Sequence, residues 1–288
     1  MNSRRFIRIL AAAIVAICAA LGVARWRGGT SEPEGGLLLP QLSEQLGAVT
    51  SVTLRKGAAL PAVMVHKQAD RWTVAQRADY PADVAKLRKL LQALASARIV
   101  EEKTSDPSNY RALGVDNPDA PDAIGTEIKI VAPDTAYSVI VGKTAAGGNF
   151  MRLSQQARGL LVNPGVSFDA EPRDWIDARL LDIKASQVKQ IEIKPAKGPA
   201  FKRKDSDFAA FADLSALDVA AAGSVDFKTA MTATATLTDG AVITLTGVGV
   251  QDKYWLTVTS SADAALTEKA RGRAYEISAS RYDSIFKP

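Results

Sequence analysis

The chain holds 288 residues, 47% of them hydrophobic and 23% charged, and its net charge of +5 comes from the N-terminus. Arg4, Arg5, Arg8, Arg25 and Arg27 supply the whole excess, so residues 30–288 carry 31 basic and 31 acidic side chains. A body this neutral is not built to neutralise phosphates, which argues against nucleic acid as a partner. The single cysteine, Cys18, lies in an apolar stretch, so the body forms no disulfide, and one histidine cannot build a histidine-based metal site.

Phe6 to Ala24 is a nearly unbroken apolar run, with Arg4, Arg5 and Arg8 at its start and Arg25, Trp26 and Arg27 after it. As a helix it would span about 28 Å, close to the ~30 Å hydrocarbon layer of a bilayer. Arg8 can snorkel to the headgroups, Trp26 falls where interfacial aromatics sit, and the arginine excess at the start favours a cytoplasmic N-terminus. Residues 1–29 therefore read as an uncleaved membrane anchor. A cleaved signal peptide ending at Gly22-Val23-Ala24 is the alternative, and either one exports the body.

Residues 30–46 read as a tether, opening on a Gly/Pro/Glu spacer. Period-two alternation over Ala48–Arg55, Ala62–His66 and Arg71–Ala75 predicts a three-stranded meander, turned at Lys56-Gly57 and Ala69-Asp70. Pro81 and Asp83 open a helix whose apolar stripe is Val84, Leu87, Leu90, Leu91 and Leu94. A strand at Arg98–Glu102 and a polar, Pro-rich loop over Asp106–Pro121 follow. Strands are expected at Glu127–Val131, Tyr137–Val141, Phe150–Leu153 and Leu160–Asn163, then a short helical stretch ending at Trp175.

The pattern then starts again. Val188–Ile193 echoes Val49–Leu54, and Ser206–Leu217 offers a helix stripe of Phe208, Phe211, Leu214 and Leu217. Ala233–Leu237, Val242–Leu245, Tyr254–Val258 and Tyr275–Ile277 echo the four strands before Phe168, and Tyr282–Phe286 stands where Phe168–Trp175 stood. The sequence thus predicts an α+β protein of two repeated units, 47–182 and 183–288, each an antiparallel meander with one packed helix.

The residues that invite a chemical role each have a plainer explanation. Gly142-Lys143-Thr144 ends like a phosphate loop, but Tyr137 occupies the place of its first glycine, so a hairpin is expected. His66, beside Lys67 in a strand, reads as an edge histidine without a partner for a catalytic triad or metal site. Asp116, Asp119 and Asp122 lack the alternation and glycine of a calcium loop. Glu101-Glu102 and the carboxylates Asp169, Glu171, Asp174 and Asp177 are candidates for paired-carboxylate chemistry only if a cleft opposes two of them. Trp72, Trp175 and Trp255 read as core or cap residues, one of which could face a sugar or peptide.

The segments "DRWTV", "YPADVAKLRKLLQAL", "NYRALGVDNP", "VIVG", "NFMRL", "GLLV" and "RDWIDARLL" together resemble the family catalogued as domain of unknown function 4340. The resemblance covers most of residues 49–182 and extends more weakly into the second unit. It implies a bacterial protein held in the inner membrane by a single pass, with its body in the periplasm. The implied partner is an ABC-type permease, or its periplasmic auxiliary subunit, of the gliding-motility type. It carries over no catalytic residue and no cofactor. A non-enzymatic accessory protein is therefore the expectation. The alternatives are a binding module for an envelope glycan, lipid or peptide in the groove between the units, and lastly an envelope hydrolase.

Overall fold

The computed structural model describes residues 35–57, 62–145, 147–203 and 208–287. The apolar run Phe6–Ala24 and its flanks Arg4, Arg5, Arg8, Arg25, Trp26 and Arg27 lie outside them. Among the described residues no helix is long and apolar enough to cross a membrane. The fold is α+β, two antiparallel sheets with a few helices.

Residues 35–46, expected as tether, are already part of the body. Gly35, Gly36 and Leu38 make backbone hydrogen bonds with Ala97 and Ile99, and Leu38, Leu39 and Leu42 are buried. Three leucines this close together cannot remain in solvent at ~25 cal/mol per Å² of apolar surface. Helix α1 (Leu42–Gln45) ends this entry.

The first sheet contains β1 (Ser51–Lys56), β2 (Val63–Gln68), β3 (Arg71–Val74), β4 (Tyr80–Pro81), β5 (Arg98–Thr104), β6 (Thr126–Ala132), β7 (Thr135–Ala145), β8 (Gly148–Leu153) and β9 (Gly159–Asn163). Its strand order is β4-β3-β2-β1-β6-β7-β8-β9-β5. Alternation places Val52, Leu54, Ile128, Ile130, Val139 and Val141 on the inner face, because successive side chains of a strand point to opposite sides. Helix α2 (Val84–Ser96) covers that face. Asp83 caps it by accepting from Lys86 N at 2.9 Å, and Leu87, Leu90, Leu91 and Leu94 are its buried stripe.

The Asp106–Pro121 segment, expected as a polar loop, folds instead as a flap across the outer face. It carries the short helix α3 (Tyr110–Leu113), closed by Gly114 at φ 74°. Tyr110 and Val115 pack on Ile140 of β7, with Leu113 and Phe150 alongside, as a second small core.

The second sheet contains β10 (Val188–Lys194), β11 (Phe201–Lys202), β12 (Asp218–Ala221), β13 (Met231–Leu237), β14 (Val242–Val250), β15 (Lys253–Ser260) and β16 (Arg273–Ile277), in the order β11-β10-β13-β14-β15-β16-β12. The first sheet shows the same order over seven strands, β2-β1-β6-β7-β8-β9-β5, with β3 and β4 added at one end. The helix expected over Ser206–Leu217 is a single turn among the described residues, α4 (Phe208–Phe211). Asp213 turns into left-handed backbone at φ 50°, and Leu214–Ala216 spend their backbone groups elsewhere. Two further helices follow, α5 (Ala264–Ala270) and α6 (Ala279–Phe286). From α6, Tyr282, Ile285 and Phe286 fill the inner face, where Gly247 leaves room for the Tyr282 and Phe286 rings.

The segment between the sheets stitches them together. Asp83 N donates to Trp175 O and Asp177 N to Pro81 O, both at 2.8 Å, so the segment pairs with the β4 end of the first sheet. A few residues on, Leu180 N donates to Leu214 O at 2.8 Å and Ala216 N to Ala178 O at 2.7 Å, just before β12. One continuous apolar core runs through both sheets as a result.

Candidate functional site

Three places gather polar or apolar chemistry in unusual density: the seam between the sheets, the network under the flap, and a groove beside α2.

At the seam, Arg77 makes a two-pronged ion pair with Asp218, its second bond (Nη2 to Oδ2) being 3.0 Å. Both side chains are largely buried, at 22% and 15% exposure. The Tyr80 and Tyr275 rings meet edge-on with centroids 5.8 Å apart. Lys269 Nζ bonds Asp177 Oδ2 and Arg179 O, each at 2.6 Å, and lies 5.4 Å from the centre of the Tyr80 ring. Burial pushes the Tyr80 hydroxyl up and raises Tyr275 to about 12, so both stay neutral phenols at ordinary pH.

Under the flap, the buried Arg152 guanidinium lies 4.6 Å from the Tyr110 ring centre. It donates to the carbonyls of Val115, Ser154 and Gln156 and, at 2.6 Å, to Asn117 Oδ1. Next to it, Glu127 accepts from Ser138 Oγ at 2.7 Å and from Arg55 Nη2 at 3.0 Å, and Arg55 also pairs with Asp119. Burial alone would raise the Glu127 carboxyl, but the bonds from Ser138, Arg55 and Ser154 and the Arg55 charge outweigh it and hold the group below the usual range. A carboxylate so well satisfied is a poor base, and Ser138 donates to it as a structural hydroxyl. Asp116, 8% exposed, has no hydrogen-bond partner for either oxygen. Its compensation is the charge of Arg152.

The groove runs between the first half of α2 and the far end of β1–β3, with a volume of about 350 Å³. Val49, Trp72, Leu87 and Leu91 line its floor, and Lys67 and Arg88 stand on its rim. Val84 is 41% exposed at its mouth.

The structure disperses the remaining sequence candidates. Gly142, Lys143 and Thr144 lie within β7, and Lys143 Nζ donates to Ala112 O at 2.8 Å, tying down the flap. His66 Nε2 lies 3.3 Å from Asp79. Glu101 pairs with Lys103, Glu102 accepts from Ser105, Glu171 pairs with Arg173, and Asp169 pairs with Lys86. Burial raises the Asp174 carboxyl, and the Asp169 charge adds to that. Trp175 is fully buried, its indole N–H donating to Asp169 O at 2.9 Å. Trp255 sits under Lys253. Among the described residues no three His, Cys, Asp or Glu side chains come together as metal ligands.

A family model described as Domain of unknown function (DUF4340) matches residues 72–264, from β3 through the first residue of α5 and so across both sheets. The chain belongs to the DUF4340 family. The match takes in the flap, most of the groove wall and, at the seam, Arg77, Tyr80, Asp177 and Asp218, while Lys269 and Tyr275 lie beyond it. No curated protein and no solved structure matches the chain. Sequence reasoning did not find the residues that the fold of this DUF4340 chain brings together. Arg152 looks like any strand arginine, and only the Tyr110, Leu113, Val115 spacing hinted that the flap had an apolar side. The basic rim of α2 was visible as Lys86, Arg88 and Lys89 with no acidic residue among them.

Proposed function

We propose that this chain is a membrane-anchored accessory protein whose rigid body docks onto an envelope assembly, an ABC-type permease or its periplasmic auxiliary subunit being the partner. Phe6–Ala24 is the anchor, the arginines and Trp26 fix its ends, and the neutral body stands in the periplasm. Tethering keeps the local concentration of the body high, so a modest interface stays occupied. The shared strand order of the two sheets is read as an internal duplication, with β3 and β4 added to the first copy.

The observation that carries this reading is the seam. The connecting segment pairs on both sides, and Arg77–Asp218 and Tyr80–Tyr275 fill the space between the sheets. A module that grips a ligand between two lobes needs a cleft and a hinge there. Backbone pairing, a buried ion pair and a shared core supply a single rigid body instead, which supports docking over cleft binding.

Affinity capture of the tagged full chain from detergent-solubilised native membranes tests the reading, with a permease subunit expected in the eluate. Recovery of the chain alone, or its release from membranes by alkaline washing, would overturn it.

A further inference from the structure

The chain enters the body at a fixed place, the outer edge of β5. Gly35 N donates to Ile99 O at 2.7 Å, Ile99 N to Gly36 O at 2.9 Å and Leu38 N to Ala97 O at 2.8 Å, and Leu37 bridges antiparallel to Arg98. Arg98 Nη1 closes the entry by donating to Gly35 O at 2.9 Å. Buried Leu38, Leu39 and Leu42 then hold the chain in the core. Were residues 35–46 a free tether, the chain from Arg27 to Gly47 could extend about 70 Å, and any face of the body could turn to the bilayer. Pinned at Gly35, the body lies at most about 30 Å of chain from Arg27, at the end of the proposed anchor.

The sheet order turns that reach into an orientation. β5 is one end strand of the first sheet and β4 the other, and nine strands at ~4.8 Å spacing put roughly 38 Å between them along the sheet. β12, an end strand of the second sheet, meets the first sheet at its β4 end. There Ala82 bridges to Ile176, Arg179 bridges to Ser215, Arg77 pairs with Asp218 on β12, and Arg273 Nη2 donates to Ala78 O at 3.1 Å. The second sheet therefore continues away from β5 and ends at β11, roughly 29 Å farther along its strands. We infer that the β5 edge is the membrane-facing end of the body, lying at the lipid headgroups with the second sheet held away from the bilayer, which deepens the accessory-protein reading and rests on it. The edge suits that place. Arg98 is exposed on it as a cation for headgroup phosphate, and Val100, 47% exposed, offers an apolar side chain to the interface. The acidic residues of β5 are matched, Glu101 with Lys103 at 2.6 Å and Glu102 with Arg158 at 3.6 Å, so the edge carries no excess negative charge to repel anionic lipid. A membrane-embedded permease then meets the first sheet before the second.

Energy transfer from single labelled positions to the bilayer tests this. In the full chain, Cys18→Ala removes the one native thiol, and Val100→Cys on β5 or Lys202→Cys on β11, both exposed positions, then takes a fluorescent donor. Each preparation is reconstituted in vesicles of phosphatidylcholine and phosphatidylglycerol that carry an acceptor on a small share of the headgroups. Transfer is expected to be several-fold stronger from position 100 than from position 202. Equal transfer from the two positions, or stronger transfer from 202, overturns the orientation. In that case a chain that still floats with the vesicles and resists alkaline washing leaves the anchored accessory reading standing. A chain that does not float with the vesicles brings down both.

Discussion

The two sheets run their strands in one order and are dressed differently. On the inner face the first sheet is covered by α2, thirteen residues long, and the second by α6 with its aromatic pair Tyr282 and Phe286. On the outer face the first sheet carries the flap and its buried Arg152, whereas the alternate residues of β13, β14 and β15 in the second are largely threonines. One glycine in each sheet shows how each was done. Gly142 clears the outer face of β7 for the flap, where an added Cβ would strike the Leu113 carbonyl and come within 2.8 Å of the Gly114 carbonyl. Gly247 clears the inner face of β14 for Phe286 and Tyr282. Strand order is therefore held in common, while the face that receives extra chain is decided by where a side chain is left out. The basic groove and the flap network both belong to the first sheet.

The largest effect expected is on the shared core. Trp175→Ala in the first half and Phe286→Ala in the second each remove a fully buried ring, for about 3–5 kcal/mol apiece. Because one core runs through both sheets, either substitution should lower a single calorimetric transition by roughly 10 °C or more. Two separated transitions would break the single-body description.

A somewhat smaller loss is expected at the seam. Arg77→Ala leaves Asp218 buried without its partner, and removing one member of such a pair costs roughly 3 kcal/mol. Asp218→Ala should cost about as much, and the double substitution well short of the sum, with a coupling of about 1–3 kcal/mol in urea titrations. Full additivity would mean that the pair contributes nothing to holding the sheets together.

Gly142→Ala and Gly247→Ala sharpen the contrast between the faces. Overpacking costs about 1–3 kcal/mol, and Gly142→Ala should sit at the upper end because the atoms in the way are backbone carbonyls. At Gly247 the obstacles are ring edges of Phe286 and Tyr282, which can turn. Hydrogen exchange should accelerate over residues 105–125 in the first variant and over 279–286 in the second. Acceleration of the same segment in both would undo the assignment of faces.

Much of this architecture was legible in the residues. The α2 stripe from Leu87 to Leu94 and its Asp83 cap, and the strands from β1 to β3 and β6 to β9, were legible in residue order and periodicity, although Val84, expected in that stripe, is exposed. What failed, failed for tertiary reasons. Phe208, Phe211 and Leu214 do turn inward, but Leu217 is exposed, because the backbone at 214–216 pairs with the connecting segment instead of continuing a helix. Leu38, Leu39 and Leu42 looked like tether because their partners lie more than fifty residues away. The groove could not be read at all: Lys67, Trp72 and Arg88 are ordinary residues until a strand end and a helix bring them to one groove.

The smallest expected effect is a pH dependence that separates the sheets. Glu127 in the first sheet is held below the ordinary glutamate value by Ser138, Arg55 and Ser154 against the opposing push of burial. A carboxylate depressed in the folded state contributes stability that is present above its unfolded value, near 4.3, and is lost as pH falls through the lower folded value. Acid should therefore loosen the flap side of the first sheet below about pH 4.3. Glu127→Gln should lower stability at neutral pH by about 1 kcal/mol and flatten the acid limb of the curve. The readout is urea stability between neutral and acid pH, with hydrogen exchange over residues 105–125 to localise it. An acid limb of unchanged steepness in the variant would mean that another carboxylate carries it, Asp119 on the same arginine being the next to replace.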